Sequence, residues 1–396
     1  MTPELSTPAA LVDLDKLERN LDRMASRAKQ LGVRLRPHVK THKSVDLGRL
    51  QTQLQTQLQT QPKTDGDAEG FANKNAVNIA DGITVSTLAE AEAFADAGFR
   101  NITWAVPIPL CRVTHAASLA SRVQRFGVLV DHHDAITALE ECARSRESSF
   151  DVFLKIDCGN HRAGVDPRSD HAMHIATRLS RSPFLRFRGV LAHGGHAYTC
   201  TTRVQLQQVA QQERDEAVGF AQRLRSCGIA VETVSIGSTP TMMVVDQLDG
   251  VSEIRPGNYA LFDVFQATLG VCSLQDIALS VLATVIGIYP DRNTMVIDAG
   301  ALALSTDPGP VHLDRDIGFG LVPRASSVLR VRSLSQEHGI VEGLDRAGPL
   351  RVGSRVEVLP NHACMTVAMF SELVAVRCGG VVARWPLARG WNGNER

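Results

Sequence analysis

Lys40 lies in the octapeptide Arg36-Pro37-His38-Val39-Lys40-Thr41-His42-Lys43, flanked by two histidines. The run Val33–Val39 reads as a strand, which would put Lys40 at its C-terminal end. A lysine there is costly unless it is neutral, paired or used covalently. On its own the octapeptide fits a basic surface turn equally well. Two further groups of residues carry chemistry. Gly237-Ser238-Thr239 follows a strand-like segment and can aim backbone N–H groups and hydroxyls at a phosphate. The segment Val356–Cys364 ends on His362-Ala363-Cys364. Residues i and i+2 of an extended segment share a face. An imidazole and a thiolate would then stand together, a pair that suits Zn²⁺ in an open catalytic site. A buried histidine near a structural thiol is the plainer account of a bare His-x-Cys.

Elements that could position these residues follow in order. Thr7–Val12 reads as a short strand. Asp13 is placed to cap a helix over Leu14–Leu31, with Leu14, Leu17, Leu21, Met24 and Ala28 at helical spacing and Gly32 as its stop. Leu-Gln-Thr-Gln then occurs three times from Leu50 to Gln61, followed by a polar stretch to Asn75. We read this as a helix lengthened by repeat expansion and a solvated loop, on the side away from the chemistry and without a role in it.

From Ile83 onward, strands alternate with helices. Strand candidates are Ile83–Ser86, Asn101–Val106, Phe126–Val130, Val152–Ile156, Phe187–His193, Val231–Ile236 and Val251–Arg255. With Val33–Val39 they make eight, which predicts an α/β fold of the (β/α)8 TIM-barrel type over 13–262, interrupted by the insertion at about 50–75. Catalytic groups of such a barrel collect where its strands end. Those ends hold Lys40, Asp157-Cys158-Gly159, His193 with Tyr198, Gly237-Ser238-Thr239 and Arg255-Pro256-Gly257-Asn258. After Phe262 the texture becomes strand and short turn. This predicts a β-rich unit over 263–396 together with 1–12, ending in a partly ordered tail from Arg384.

Composition narrows the classes. The chain has 396 residues, 44% hydrophobic and 21% charged, with 42 Lys+Arg against 42 Asp+Glu. Zero formal charge argues against a general nucleic-acid or membrane-surface binder. No apolar leader precedes Pro8 and no run is long enough to span a bilayer, so a cytoplasmic enzyme is expected. The eight cysteines form no CxxC pair, and a chain of this size needs no disulfide framework.

Pro37-His38-Val39-Lys40-Thr41-His42-Lys43 and Pro360-Asn361-His362-Ala363-Cys364 closely resemble motifs of the D-serine dehydratase and D-threonine aldolase family. These are pyridoxal phosphate enzymes built on an alanine racemase-like barrel and a C-terminal β-domain. Val85–Glu92, Lys155–Val165, Ser235–Thr241 and Arg255–Tyr259 also match. The resemblance covers nearly the whole chain outside Leu50–Asn75. It implies that Lys40, not Lys43, carries the cofactor, and that His362 and Cys364 bind a divalent metal, zinc or manganese. Gly237, Ser238, Thr239, Gly257 and Asn258 would hold the phosphate. Arg162, Tyr198 and His193 would meet the ring or serve as structural hydrogen-bonding groups. His38 and His42 would support the lysine or simply pack. The texture is closest to zinc-dependent D-serine dehydratases, so the expected reaction takes D-serine to pyruvate and ammonia. D-threonine aldolase, D-3-hydroxyaspartate dehydratase and a non-catalytic pyridoxal phosphate carrier stay open as alternatives. A homodimer is implied by the resemblance.

Overall fold

The computed structural model describes residues 5–60, 82–146 and 149–393. Its first strand, β1 (Ala9–Asp13), leads directly into a helix over Leu14–Gln30. The Asp13 carboxylate accepts the Lys16 N–H at 3.1 Å, which satisfies one of the free donors of the first turn. Leu14, Leu17, Leu21, Met24 and Ala28 are all buried, and Gly32 ends the helix at φ 67°. The polar stretch to Asn75 and the side chains of Leu54 and Leu58 lie outside the described residues.

Eight parallel strands form the barrel. They are β2 (Arg34–Leu35), β3 (Ile83–Val85), β4 (Asn101–Pro107), β5 (Arg125–Val130), β6 (Phe150–Lys155), β7 (Leu185–Leu191), β8 (Thr233–Ile236) and β9 (Glu253–Ile254). Their order is β2-β9-β8-β7-β6-β5-β4-β3. A bridge between His38 and Thr84 joins the two ends, with the Thr84 N–H on the Pro37 carbonyl at 2.9 Å. The strand expected over Val33–Val39 is only two residues long. Pro37 has no N–H for the ladder, and the chain then tightens into a 3₁₀ turn over Val39–Thr41. Lys40 therefore sits on a turn, one step beyond the expected strand end.

The second sheet contains β10 (Leu279–Tyr289), β11 (Thr294–Ile297), β12 (Gly320–Pro323), β13 (Val328–Leu334), β14 (Gly339–Glu342), β15 (Arg355–Pro360), β16 (Glu372–Arg377) and β17 (Gly380–Pro386). The order is β11-β14-β13-β12-β15-β10-β1-β16-β17, and β11 also pairs with β10. β1 thus lies in this sheet, parallel to β16 and antiparallel to β10. Two strands were absent from the sequence reading. β12 is short and bounded by Gly320 and Pro323. β17 is an edge strand with mostly exposed side chains, so it lacks the apolar alternation that marks a buried strand. The tail expected from Arg384 accordingly begins later, because Trp385 is 7% exposed and packs into the main core. Among the described residues, no helix is long and apolar enough to cross a membrane.

Trp385→Ala removes a buried indole from that core. It should cost about 3–5 kcal/mol, read as a lower denaturant midpoint by far-UV circular dichroism. An unchanged midpoint would show that β17 contributes nothing to the fold.

Candidate active site

All eleven residues singled out from the sequence line one cavity of about 690 Å³: Lys40, Arg162, His193, Tyr198, Gly237, Ser238, Thr239, Gly257, Asn258, His362 and Cys364. The Lys40 turn is fastened from both sides. The His38 N–H reaches the Pro256 carbonyl at 3.0 Å, and the Lys43 N–H reaches the Val39 carbonyl at 2.8 Å. The two lysines differ in their partners. Lys43 forms an ion pair with the buried Glu90 carboxylate. The Lys40 amine has no hydrogen bond or ion pair among the described residues. Its histidine neighbours carry no charge. Desolvation, then the nearby Lys40, holds His38 and His193 well below the usual imidazole range.

His42 is fully buried and points away from the cavity. Its Nδ1 accepts the Ser44 N–H at 3.1 Å, so Nε2 carries the proton and donates to Gln51 Oε1 at 3.0 Å. Burial pushes its pKa down to about 4. Gln51 in turn donates to the Tyr259 hydroxyl at 3.1 Å. Gln51 belongs to the first Leu-Gln-Thr-Gln unit, so that repeat is not remote from the site as the sequence reading held. One amide ties the lysine turn to the residue that follows Asn258.

A buried carboxylate organises the loops after β7 and β8. Glu213, from the long Arg203–Ser226 helix, accepts the N–H of Gly194 at 2.6 Å and of Gly237 at 2.9 Å, and the Thr241 hydroxyl at 3.0 Å. The Gly237 N–H is therefore spent, and the Ser238 N–H is spent on Thr241 Oγ1 at 3.0 Å. Among the described residues, the N–H groups of Thr239, Gly257 and Asn258 have no partner, and all three residues line the cavity. The Tyr259 N–H holds Thr239 Oγ1 at 3.1 Å and so joins the two loops. Gly257 has no substitute here, because a Cβ would stand 2.6 Å from the His38 carbonyl oxygen. That close approach puts three free donors beside the Lys40 turn, a cradle for an anion.

His362 and Cys364 meet in a way the sequence reading did not foresee. The segment is not extended. His362 is the N-cap of the Ala363–Met369 helix, and Cys364 stands in its first turn. Asp263 replaces the missing cap by accepting the Ala363 N–H at 2.9 Å. His362 Nδ1 faces Asp307 Oδ2 at 2.7 Å, and Cys364 Sγ lies 3.2 Å from Thr41 Oγ1. Burial opposes the imidazolium, but hydrogen bonds to Asp307 and Cys364 outweigh it and push His362 up to about 11. Burial likewise opposes the thiolate; the His362 hydrogen bond and charge outweigh it and bring Cys364 down. Among the described residues, no cluster of three or more His, Cys, Asp or Glu side chains is arranged to hold a metal.

Arg162 is exposed at the mouth, on a loop that the Asp157 carboxylate fixes by accepting the N–H groups of Gly159, Asn160 and His161, each at 3.0 Å. It has no ion pair among the described residues. The Tyr198 ring meets Phe265 edge-on at 5.6 Å. Lys155 and Arg255 also line the cavity; sequence reasoning placed Arg255 at a strand end without giving it a role and missed Lys155. Burial brings Lys155 down to about 8 and Arg255 down to about 10. Charged side chains at the ends of otherwise apolar strands were the available signal. For Asp307, Gln51 and Glu213 there was none.

The chain matches two family models: "Alanine racemase, N-terminal domain" over residues 63–263 and "Putative serine dehydratase domain" over residues 278–376. A D-threo-3-hydroxyaspartate dehydratase from Delftia sp. (strain HT23) is 38% identical over 98% of both chains. A D-serine dehydratase from Dictyostelium discoideum is 36% identical, over 93% of this chain and 92% of its own. Among solved structures, a D-threo-3-hydroxyaspartate dehydratase, as a cysteine-to-alanine variant in its metal-free form, aligns with a TM-score of 0.86 at 36% identity. It covers 98% of this chain and 99% of its own.

Gln51→Leu leaves the buried His42 N–H and the Tyr259 hydroxyl without their partner. It should cost about 1–3 kcal/mol in urea unfolding. No loss would show that the amide bridge is incidental.

Proposed function

Because this chain belongs to the serine dehydratase family of alanine racemase-like lyases, we propose that it is a pyridoxal phosphate- and metal-dependent dehydratase acting on D-serine. The observation that carries this reading is an unpaired lysine amine with free N–H donors on one side and an imidazole–thiol pair on the other, in one cavity. The residues fit both groups. Thr239, Gly257 and Asn258 offer three unpartnered N–H groups to a phosphate, with the hydroxyl of Ser238 beside them. His362 and Cys364 make a nitrogen–sulfur donor pair that suits a borderline ion such as Zn²⁺, with Mn²⁺ less well matched to the sulfur. When bound, pyridoxal phosphate supplies an electron sink for charge at Cα, and the metal polarises the β-hydroxyl as a leaving group.

The chain supplies the rest. Lys40 Nζ would hold the cofactor, and as a free amine it is the base that would take the α-proton. Glu90 and Glu253 do not compete for it, because Glu90 is engaged by Lys43 and Glu253 by Arg36. Arg162 and Tyr198 orient the substrate at the mouth, and neutral His38 and His193 pack beside the amine without adding charge. Loss of water from Cβ and hydrolysis of the resulting enamine give pyruvate and ammonia. Around His362 and Cys364 the wall presents Asp263, Asp307 and Phe265. The acid beside that pair, Asp307, favours a hydroxymethyl group over a β-carboxylate, which supports D-serine. Arg162 favours the second reading, D-threo-3-hydroxyaspartate. It is a cation without an acid partner, and its loop follows β6, across the barrel from β2.

Product analysis separates the readings. Ammonia and pyruvate from D-serine, faster than ammonia from D-threo-3-hydroxyaspartate, supports the proposal; the reverse order supports the second reading. Glycine and acetaldehyde from D-threonine without ammonia would make the protein an aldolase, and no turnover despite bound cofactor would make it a carrier. Lys40→Ala should abolish the visible absorbance of protein-linked cofactor; retention of that band would remove Lys40 from its role. Chelation should stop ammonia release while leaving the band in place, and undiminished activity in chelator would sink the metal assignment.

A further inference from the structure

We propose that Asp307 is a positioning residue that dictates which nitrogen of His362 is free to bind a metal. This rests on the reading of His362 and Cys364 as a metal pair. Both oxygens of Asp307 are already used as acceptors. Oδ2 faces His362 Nδ1 at 2.7 Å, and Oδ1 accepts the Gly309 N–H at 2.8 Å. The acid cannot swing away, because its loop is anchored. The Asn361 amide donates to the Asp307 carbonyl at 3.3 Å and to the Gly318 carbonyl at 2.8 Å. With its position fixed, an ionised carboxylate has no donor to offer. Of the two ring positions it holds a proton on Nδ1, so the nitrogen left for a metal beside Cys364 is Nε2. Carboxylates behind a ligating imidazole act in this way, and their removal costs about 10–100-fold in metal affinity.

The two oxygens make a sharper claim. An asparagine at 307 has one acceptor and one donor where the aspartate has two acceptors. The Gly309 N–H belongs to a backbone held between Pro308 and Pro310 and must still be accepted, so the amide oxygen goes there. The amide N–H then faces His362 Nδ1. The ring meets this at little cost by moving its proton to Nε2, which occupies the atom the metal needs. The near-isosteric replacement should therefore be the more damaging one. Alanine leaves the ring unguided but free to choose either tautomer.

The test uses the full chain with pyridoxal phosphate bound, and measures Zn²⁺ affinity by competition with a chromophoric chelator. Asp307→Ala should weaken Zn²⁺ by about 10–100-fold, and Asp307→Asn should weaken it further. Retained cofactor absorbance and far-UV circular dichroism show that each variant is folded. A purely structural role predicts the opposite order, with asparagine the milder change, and that order overturns the proposal. Wild-type affinity in either variant overturns it as well. If the wild-type chain itself binds no Zn²⁺, the metal reading falls and the proposal falls with it. Loss confined to the variants tells the two failures apart. Should Asp307→Asn fail to fold, Co²⁺ uptake by Asp307→Ala decides: a weakened thiolate-to-metal absorption band supports positioning, and a wild-type band refutes it.

Discussion

The Lys40 turn is the point on which the rest of the site depends, because three separate parts of the chain must meet it at once. β9 reaches it through the Pro256 carbonyl, β3 through the Thr84 N–H, and the segment after β15 through Cys364 and Thr41. The barrel closes at this turn, so closing the sheet and placing the amine are one event. A side chain at Gly257 would push the turn away from the anion cradle and open the barrel at the same place. The strand that leads into the turn is short for the same reason. A longer β2 would carry Lys40 past the cradle, and Pro37 stops the ladder first.

Buried and half-buried acids fasten the loops by accepting backbone N–H groups. Glu213 ties the β7 and β8 loops together, Asp157 closes the loop that displays Arg162, and Asp263 caps the helix that carries Cys364. Charge-assisted hydrogen bonds of this kind are stronger than neutral ones and hold loops at fixed distances. The arrangement has an electrostatic consequence. Each of these carboxylates is satisfied by donors that are not Lys40, and among the described residues the amine is paired with no acid. Lys43, three residues on, shows the alternative: its ion pair with Glu90 makes it a strut.

Periodicity and residue type made the barrel and the main site residues legible in the sequence. Alternating apolar strands and amphipathic helices are local signals, and lysine, glycine and histidine at strand ends stand out against them. What stayed hidden was non-local or geometric. β17 is an edge strand whose one buried side chain is Trp385, so it shows no apolar alternation for periodicity to find. His362 and Cys364 were paired for the wrong reason, since an extended i, i+2 relation was assumed where a helix begins. Asp307 is 55 residues from His362, and nothing in its own neighbourhood announces a partner. Gln51 looked like one unit of a polar repeat, yet burial turned a repeated glutamine into a bridge between His42 and Tyr259.

The division of labour between barrel and second sheet bears on which bond breaks. The free donors of the cradle come from the segments after β8 and β9, and the amine comes from the turn after β2, so the barrel by itself assembles the proposed cofactor site. On the proposed reading the groups that would face a β-substituent, His362, Cys364 and Asp307, all come from the later part of the chain. Cys364 meets the barrel at Thr41, and the connecting segment after the barrel meets the same helix start through Asp263, which accepts the Ala363 N–H, and through the Phe265 N–H on the Asn361 carbonyl at 3.1 Å. On the proposed reading, whether the β-hydroxyl leaves turns on the pair docked above the lysine. The same cradle and lysine can therefore serve different reactions when that pair, or the acid behind it, is changed.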